Sequence, residues 1–379
     1  MTKVDPFAFW SRGIGRRQFL AGSTALGAMA ATGLGPRRAH AEETLNILTW
    51  PGHADPAVVG PFEEKYGVDV VAKEYVGGEN MLALVNQSPP GTYDVVLSDA
   101  EYVVMLRDGG FIEEMDPADY PFDSLFPEFK KFPGHWLDDK LYSMIIRFGY
   151  LGLAYRTDAL TKEEVESYAI MWDEKVKGGV GFFDWYLPSM GCLSLYNGNE
   201  KPFDIDDAAF DKLKETLFSL APQSSGFYSM ADTFSSLTSG AAKCIPGIGD
   251  WITLLLAKDG VPVDATVPKE GGIQWTESMS IMAGSTKKDL AKAFIQYMTS
   301  AEGQMRSAMM PAYNASIPSK PGWEMLNAEH PDEAVRLRMT FDDRNVLDEY
   351  AEGKIHIRRT PVQQDIETWN DAWTEFKSL

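Results

Sequence analysis

The sequence has 379 residues and a formal net charge of −20 at pH 7, from 35 Lys and Arg against 55 Asp and Glu. Because so acidic a surface repels phosphate backbones, a nucleic-acid-binding function is excluded. The hydrophobic fraction of 44% excludes a disordered chain, and the length suits two domains with a core in each.

Residues 1–41 predict an export signal. Segment 16–20 (RRQFL) resembles the twin-arginine signal of proteins exported in the folded state, and a weakly apolar run follows over 21–34. This run of about 15 residues is too short to span a bilayer. The small residues at 39–41 (AHA) suit a signal peptidase. We therefore expect a mature chain that is free in the periplasm, with a net charge of −25 because the signal removes six basic residues and one acidic residue.

Strand and helix patterns alternate from residue 44 onward. Runs rich in apolar and β-branched residues predict strands at 44–50, 68–75 and 93–98. Apolar residues at helical spacing predict helices at 56–66, 80–86 and 101–108. This order is typical of an α/β lobe with a largely parallel sheet.

A second α/β set follows. Strands are predicted at 179–183, 242–245 and 263–267, and helices at 206–220, 250–258, 289–299 and 362–376. Two further β-rich stretches, 142–155 and 275–283, flank this set, and the first is too long for a strand of one lobe. We expect both to cross between two lobes. Such a crossing leaves a cleft, and interdomain clefts are favoured ligand sites.

The two cysteines, Cys192 and Cys244, leave two interpretations open. In an oxidising periplasm they can form one disulfide; otherwise they are two buried free thiols. Neither lies in a C-x-x-C motif and the five histidines are scattered, so no metal or cofactor is expected. No G-x-S-x-G motif is present. The many Asp and Glu residues leave an exported carboxylate-based hydrolase open as an alternative.

Four stretches carry a resemblance to a known family. They are LNILTWPGHADPAVVGPFEEKYGVDV at 45–70, GTYDVVLSDAEYVVMLRDGGFIEEMD at 91–116, VPVDATVPKEGGIQWTESMSIMAGSTKKDLAKAFIQYMTSAEGQ at 261–304, and MMPAYNASIPSK at 309–320. The third is the most specific, because Pro-Lys-Glu-Gly-Gly is followed by Trp275 and then Glu277. On these stretches the chain resembles the bacterial extracellular solute-binding proteins of the spermidine/putrescine-binding family, the periplasmic components of ABC transporters.

The resemblance implies an α/β fold of the periplasmic binding protein type II, in which hinge strands join two α/β lobes around a ligand cleft. Lobe 1 is expected at 42–145 plus 277–320, and lobe 2 at 146–276 plus 321–379. A monomer without enzymatic activity or cofactor is also implied. Its partners would be a small-molecule ligand and the membrane permease subunits of an ABC transporter.

The residues expected to contact the ligand also follow from the resemblance. Trp50 stands where the family ends its first strand at an aromatic wall, and His53 stands where a Tyr is frequent. Asp99 and Glu101 stand where polyamine binders of the family place a Ser and an aromatic residue. Both acids also have a structural interpretation, since either can cap the helix that follows.

The other candidates come from the hinge motif, the second lobe and two loops. Trp275 keeps the motif's Trp, and Glu277 stands where Asp is more usual. Pro188 and Gly247 depart from the family, which has a second acid and a Trp there. The remaining candidates are Asp184, Trp185, Asp250, Trp251, Tyr313 and Arg358. Each tryptophan can also be an ordinary core residue.

A small cationic amine, first of all a polyamine of the putrescine or spermidine type, is the ligand that this set predicts. An ammonium that loses its water in a closed cleft needs carboxylate partners, and tryptophan faces attract it further. Arg358 leaves an alternative open, because a guanidinium fork prefers a carboxylate. If Arg358 faces the cleft, the ligand carries both an amine and an acid, as an amino acid, an opine or a betaine-like compound does. If it does not, the arginine pairs with the acidic surface.

Overall fold

The structure, a computed structural model, describes residues 43–379. The export signal expected at 1–41 lies outside these residues. Within 43–379, no helix has the length and apolar character that a membrane crossing requires.

The first lobe begins with alternating strands and helices. They are β1 (Glu43–Thr49), α1 (Pro56–Tyr66), β2 (Val68–Glu74), α2 (Gly78–Gln87), β3 (Val95–Ser98) and α3 (Val103–Asp108). Helix α1 starts where the Asp55 carboxylate accepts a hydrogen bond from Ala57 N, and it ends at Gly67 in the left-handed conformation. The predicted alternation in this region is confirmed.

Short elements lead to the first long strand. They are α4 (Pro127–Lys130), β4 (Trp136–Leu137), β5 (Lys140–Leu141) and β6 (Met144–Arg156). All of β6 is buried except its last residue, which fits a strand covered on both faces.

The second lobe contains β7 (Val180–Phe183), α5 (Tyr186–Tyr196), α6 (Asp207–Phe218), β8 (Ser224–Tyr228), α7 (Met230–Ser239), β9 (Cys244–Ile248), α8 (Asp250–Lys258) and β10 (Val263–Thr266). Helix α5 is absent from the sequence prediction. Residues 186–195 of this helix are all buried, so it has no polar face and shows no helical period in the sequence.

The chain then returns through β11 (Gly272–Ile281), α9 (Lys288–Met298), α10 (Ala301–Ala308), α11 (Lys320–Glu329), α12 (Pro331–Arg336), α13 (Asp348–Ala351), β12 (Ile355–Ile357) and α14 (Ile366–Lys377). Helix α14 packs on the second lobe, where the ring centroids of Trp373 and Phe376 lie 6.1 Å and 5.0 Å from that of Phe182. The helix predicted at 362–376 is therefore confirmed with a later start.

Two strands, β6 and β11, connect the lobes. The main sheet has the order β2-β1-β3-β11-β6-β9-β7-β8. The first part of β6 pairs with β11, and its last part pairs with β9 and β10 of the second lobe. Strand β11 pairs with β3 of the first lobe through its last part. Both predicted crossings are confirmed, and they bring the ends of β1, β7 and β9 to one place.

The two cysteines are buried free thiols. Cys192 lies on α5 and Cys244 on β9, two elements that pack together in the second lobe. Burial raises the pKa of each thiol to about 12, so both are protonated at neutral pH. Of the two interpretations left open by the sequence, the structure therefore has the free thiols.

Candidate ligand-binding cleft

A cavity of about 60 Å³ lies between the lobes, beside the crossing strand β11. It is enclosed mainly by aromatic and aliphatic side chains, including Phe183 of β7 and Met230 of α7. The sequence-predicted residues that line it are Trp50, Asp99, Trp185, Trp251, Trp275, Glu277, Tyr313 and Arg358. Residues that are up to 308 positions apart in the chain therefore meet at one cavity because both crossing strands pass behind it.

Aromatic rings form the walls. Trp50 directly follows β1, and its ring centroid lies 6.4 Å from that of Trp185, which precedes α5. On the other side, the ring of Trp251 stands edge-on to Tyr313 at 5.7 Å. These side chains are too far from one another in sequence for spacing alone to show that they share a wall.

Trp275 of β11 lies against the crossing strand β6. A Cβ at Gly149, its partner in the strand pairing, would lie 2.6 Å from atoms of the Trp275 indole. Only glycine leaves room for the ring at this position, since real Cβ contacts do not come that close. Gly149 is therefore part of what orients Trp275 at the cavity, and nothing in the sequence pattern singled it out.

We call Arg147, Glu277, His53 and Tyr313 the hinge cluster. Arg147 of β6 has a fully buried side chain, and its Nε and Nη2 lie 2.8 Å and 2.7 Å from Glu277 Oε2. His53 Nε2 lies 3.0 Å from both Glu277 Oε2 and Arg147 Nη2, and the Tyr313 hydroxyl donates to Glu277 Oε1. Arg147 Nη1 also donates to the carbonyls of Ser307 and Tyr313. Every guanidinium nitrogen of Arg147 thus has a partner.

The environment of the hinge cluster determines its charges. Burial alone would raise the pKa of Glu277, but Arg147 and His53 outweigh that effect and lower it to about 2. Burial lowers the pKa of His53, so its imidazole is neutral at pH 7. The cluster is therefore an ionised Arg147–Glu277 pair with a neutral histidine.

Arg147 lies beside the cavity in the hinge cluster, but the sequence analysis did not predict it. A charged residue inside the apolar run MIIRFGYLG was the available signal, since arginine is almost never fully buried unless it is paired. Its partner could not be predicted from the sequence, because Glu277 lies 130 residues away.

We call Arg358, Asp99 and Glu101 the cleft cluster. Arg358 follows β12, and its side chain is 4% exposed. Its Nη2 lies 2.8 Å from Asp99 Oδ1, and its Nε lies 2.5 Å from Glu101 Oε1. The guanidinium also lies over the Trp185 ring, 4.7 Å from the centroid. Two carboxylates of the first lobe thus share one arginine from the C-terminal segment.

The arginine of the cleft cluster is less well satisfied than the arginine of the hinge cluster. Burial raises the pKa of Asp99 to about 8 despite Arg358, and burial also raises the pKa of Glu101. Arg358 Nη2 is buried without a hydrogen-bond acceptor, because its approach to Asp99 is close but poorly aligned. The indole N–H groups of Trp185 and Trp275 are buried without an acceptor as well. Three N–H donors on residues that line the cavity therefore have no acceptor among the described residues.

The other predicted residues lie at or behind the cavity. His53 and Glu101 do not line it, but each contacts a residue that does, in the two clusters described above. Asp184 lines a neighbouring cavity of about 490 Å³ together with Trp50 and Trp185, and it is paired with Lys377 at 2.6 Å. Asp250 is paired with Arg338 at 2.8 Å and lines neither cavity.

The fold and the cavity define a two-lobed binding protein of the periplasmic type II class. The family model described as bacterial extracellular solute-binding protein matches residues 57–325, so the chain belongs to that family. The spermidine/putrescine-binding periplasmic protein of Escherichia coli (strain K12) is 27% identical over 281 residues, which cover 72% of this chain and 77% of that protein. The resemblance that the sequence stretches indicated is confirmed. Solute binding rather than enzymatic activity is characteristic of the family.

Solved structures show the same fold at lower identity. The spermidine/putrescine ABC transporter substrate-binding protein from Streptococcus pneumoniae has a TM-score of 0.69 and 18% identity, and the match covers 89% of this chain and 99% of that one. The PBP MotA from A. tumefaciens B6, in complex with glucopine, has a TM-score of 0.68 and 15% identity, with 88% and 99% covered. Proteins of this fold therefore include members named for different ligands.

Proposed function

We propose that this chain is the periplasmic substrate-binding component of an ABC importer, and that it captures a small organic ammonium compound by closure of its two lobes. The observation that carries the proposal is the cavity between the lobes, walled by Trp50, Trp185, Trp251 and Trp275 and containing the carboxylates of Asp99 and Glu277. Aromatic faces and carboxylates are the groups that hold a desolvated ammonium.

Export and partners form part of the same proposal. The twin-arginine-type segment at 16–20 would direct the chain to the periplasm, where it would act as a monomer. The closed form would then dock on the permease subunits of the transporter. Membership of the extracellular solute-binding family supports this role.

Two ligand classes are candidates. A polyamine is supported by the names of the relatives, which include spermidine/putrescine-binding and putrescine/cadaverine-binding proteins. A ligand with both an amine and a carboxylate is supported by Arg358, whose buried guanidinium lines the cavity. The fold neighbour in complex with glucopine lends the second class a precedent in this architecture.

A thermal-shift screen of the purified chain tests the proposal. The panel contains putrescine, spermidine, cadaverine, amino acids, opines and betaines. A ligand that binds only the folded closed form raises the melting temperature and changes tryptophan fluorescence. We expect Trp275→Ala to weaken binding at least tenfold, whereas Trp136→Ala, which lines neither cavity, leaves it unchanged. Absence of stabilisation by every compound of the panel would overturn the proposal.

A further inference from the structure

We propose that the ligand is a betaine, a zwitterion that carries a fully methylated ammonium and a carboxylate. This inference rests on the proposed function and names the substrate class of the same cavity. Its basis is the combination of tryptophan walls, carboxylates that already have partners, and buried N–H donors that lack acceptors.

The carboxylates of the cavity already have partners among the protein's own side chains, which a primary ammonium would have to share. Such a group has three N–H donors and needs an acceptor for each when it leaves water. Glu277 already accepts from Arg147 and Tyr313, and Asp99 already accepts from Trp50 Nε1 at 3.3 Å and lies against Arg358. A quaternary ammonium has no N–H group, so it needs no acceptor at all.

Tryptophan faces are the surfaces that a quaternary ammonium prefers. The attraction comes from the ring quadrupole, and it is strongest for tryptophan and for a cation that has lost its water. The four indoles of the cavity, Trp50, Trp185, Trp251 and Trp275, surround a space of about 60 Å³. A compact trimethylammonium group therefore suits these aromatic walls.

The charge of the two clusters also disfavours a polyamine. Asp99, Glu101 and Glu277 face Arg147 and Arg358, which leaves one net negative charge when all five are ionised. Burial raises the pKa of Asp99, and protonation of this residue would remove that charge. A polyamine would bring several uncompensated positive charges into the closed cleft, whereas a zwitterion brings no net charge.

Buried N–H donors supply the second half of the ligand site. Trp185 Nε1 and Trp275 Nε1 lack acceptors among residues 43–379, and Arg358 Nη2 has only its poorly aligned contact with Asp99 Oδ1. Leaving a buried donor unsatisfied is costly, and a carboxylate has two oxygens that each accept more than one hydrogen bond. A ligand carboxylate beside Arg358 would provide a well-aligned acceptor for the guanidinium, and that bond would be charge-assisted.

Matched ligands test the methylated ammonium and the carboxylate separately on the unmodified chain. Isothermal titration calorimetry would compare glycine betaine with glycine and γ-butyrobetaine with γ-aminobutyrate, pairs that differ only in three methyl groups. Choline tests the carboxylate, and putrescine and spermidine test the polyamine class. We expect at least one betaine to bind tenfold or more tightly than its unmethylated partner, than choline and than either polyamine.

Two neighbouring arginines provide a matched pair of variants. Arg358→Lys keeps the positive charge but removes the guanidinium fork, and we expect it to weaken betaine binding at least tenfold while choline binding changes little. Arg359→Lys alters an exposed residue outside the cavity and should change neither. Circular dichroism would establish that both variants are folded.

The outcomes separate this inference from the proposed function. If an unmethylated amino acid or a polyamine binds as tightly as the betaines, the inference is overturned and the solute-binding proposal stands. If Arg358→Lys weakens the binding of betaine and of choline equally, the inferred contact between the ligand carboxylate and Arg358 is overturned. If no compound stabilises the protein, both proposals fail.

Discussion

The hinge cluster and the cleft cluster each combine a buried arginine with carboxylates, yet they differ in how completely the hydrogen bonds of the arginine are satisfied. In the hinge cluster all three nitrogens of the Arg147 guanidinium have partners, and Glu277 accepts on both oxygens. In the cleft cluster Arg358 serves two acids, and its Nη2 has no hydrogen-bond acceptor.

This difference suggests a structural role for the hinge cluster and a role in ligand binding for the cleft cluster. A buried arginine whose donors all have acceptors holds together the segments that meet at it, here β6, β11 and the loops of His53 and Tyr313. An incompletely satisfied one costs stability until another acceptor completes it. We therefore expect changes in the hinge cluster to act mainly on folding, and changes at the cavity to act mainly on binding.

The largest effect is expected from Arg147→Met. This change leaves the Glu277 carboxylate buried without its cation, which typically costs about 3–5 kcal/mol of unfolding free energy. Urea denaturation followed by circular dichroism would measure it. The double change Arg147→Met with Glu277→Met removes both charges and should recover most of the loss. A single variant as stable as the parent would show that the hinge cluster does not support the fold.

A smaller effect, on binding rather than folding, is expected from Gly149→Ala. The added methyl meets the Trp275 indole at 2.6 Å, so the ring must move at the cavity wall. We expect at least a tenfold loss of affinity for glycine betaine by calorimetry, about 1.4 kcal/mol. Gly60→Ala is the control, because a Cβ at Gly60 meets nothing within 4 Å. Equal affinity in the two variants would contradict the role given to Gly149.

The smallest effect is a change in the pH dependence of stability. The folded pKa of about 8 at Asp99 is above its ordinary value, so the folded state binds more protons and stability falls as the pH rises from about 4 to 8. Asp99→Asn should flatten this decline in melting temperature. Below about pH 4 the parent and the variant should be about equally stable, because Asp99 is then protonated in both the folded and the unfolded state.

The pKa of Glu277 is shifted in the opposite direction, so this residue serves as the comparison. Its folded pKa of about 2 is below the ordinary value, so its contribution is present above about pH 4.5 and is lost as the pH falls toward 2. Glu277→Gln should therefore weaken the acid dependence and leave the decline between pH 4 and 8. If both variants changed the stability over the same pH range, the two clusters would not be distinct.

Much of the architecture could be predicted from local pattern. The helices expected at 56–66 and 250–258 have the bounds of α1 and α8, and the two crossing strands lie where their length and position indicated. Helix α5 escaped prediction because burial on all sides removes the polar half of the helical period. The lobe boundaries expected at 145/146 and 276/277 stay a prediction.

The candidate site was predictable only in part. The family motif identified Trp50, Trp275 and Glu277, and all three line the cavity. Whether these residues, or the others expected to contact the ligand, bind it stays a prediction. Arg147 and Gly149 were missed because each matters through a partner more than 120 residues away, and one sequence holds no record of such contacts.

The class of protein, the alternation of strands and helices, and the supply of aromatic and acidic residues for a site could all be inferred from the amino-acid sequence. These depend on local periodicity, composition and a contiguous motif, which the chain carries wherever it folds. Which charges meet depends on the folded arrangement of the chain. It pairs Glu277 with Arg147, and it gives Asp99 and Glu101 a single arginine to share. The free energy of a buried charge depends on its partners and its access to water, and both are properties of the folded chain.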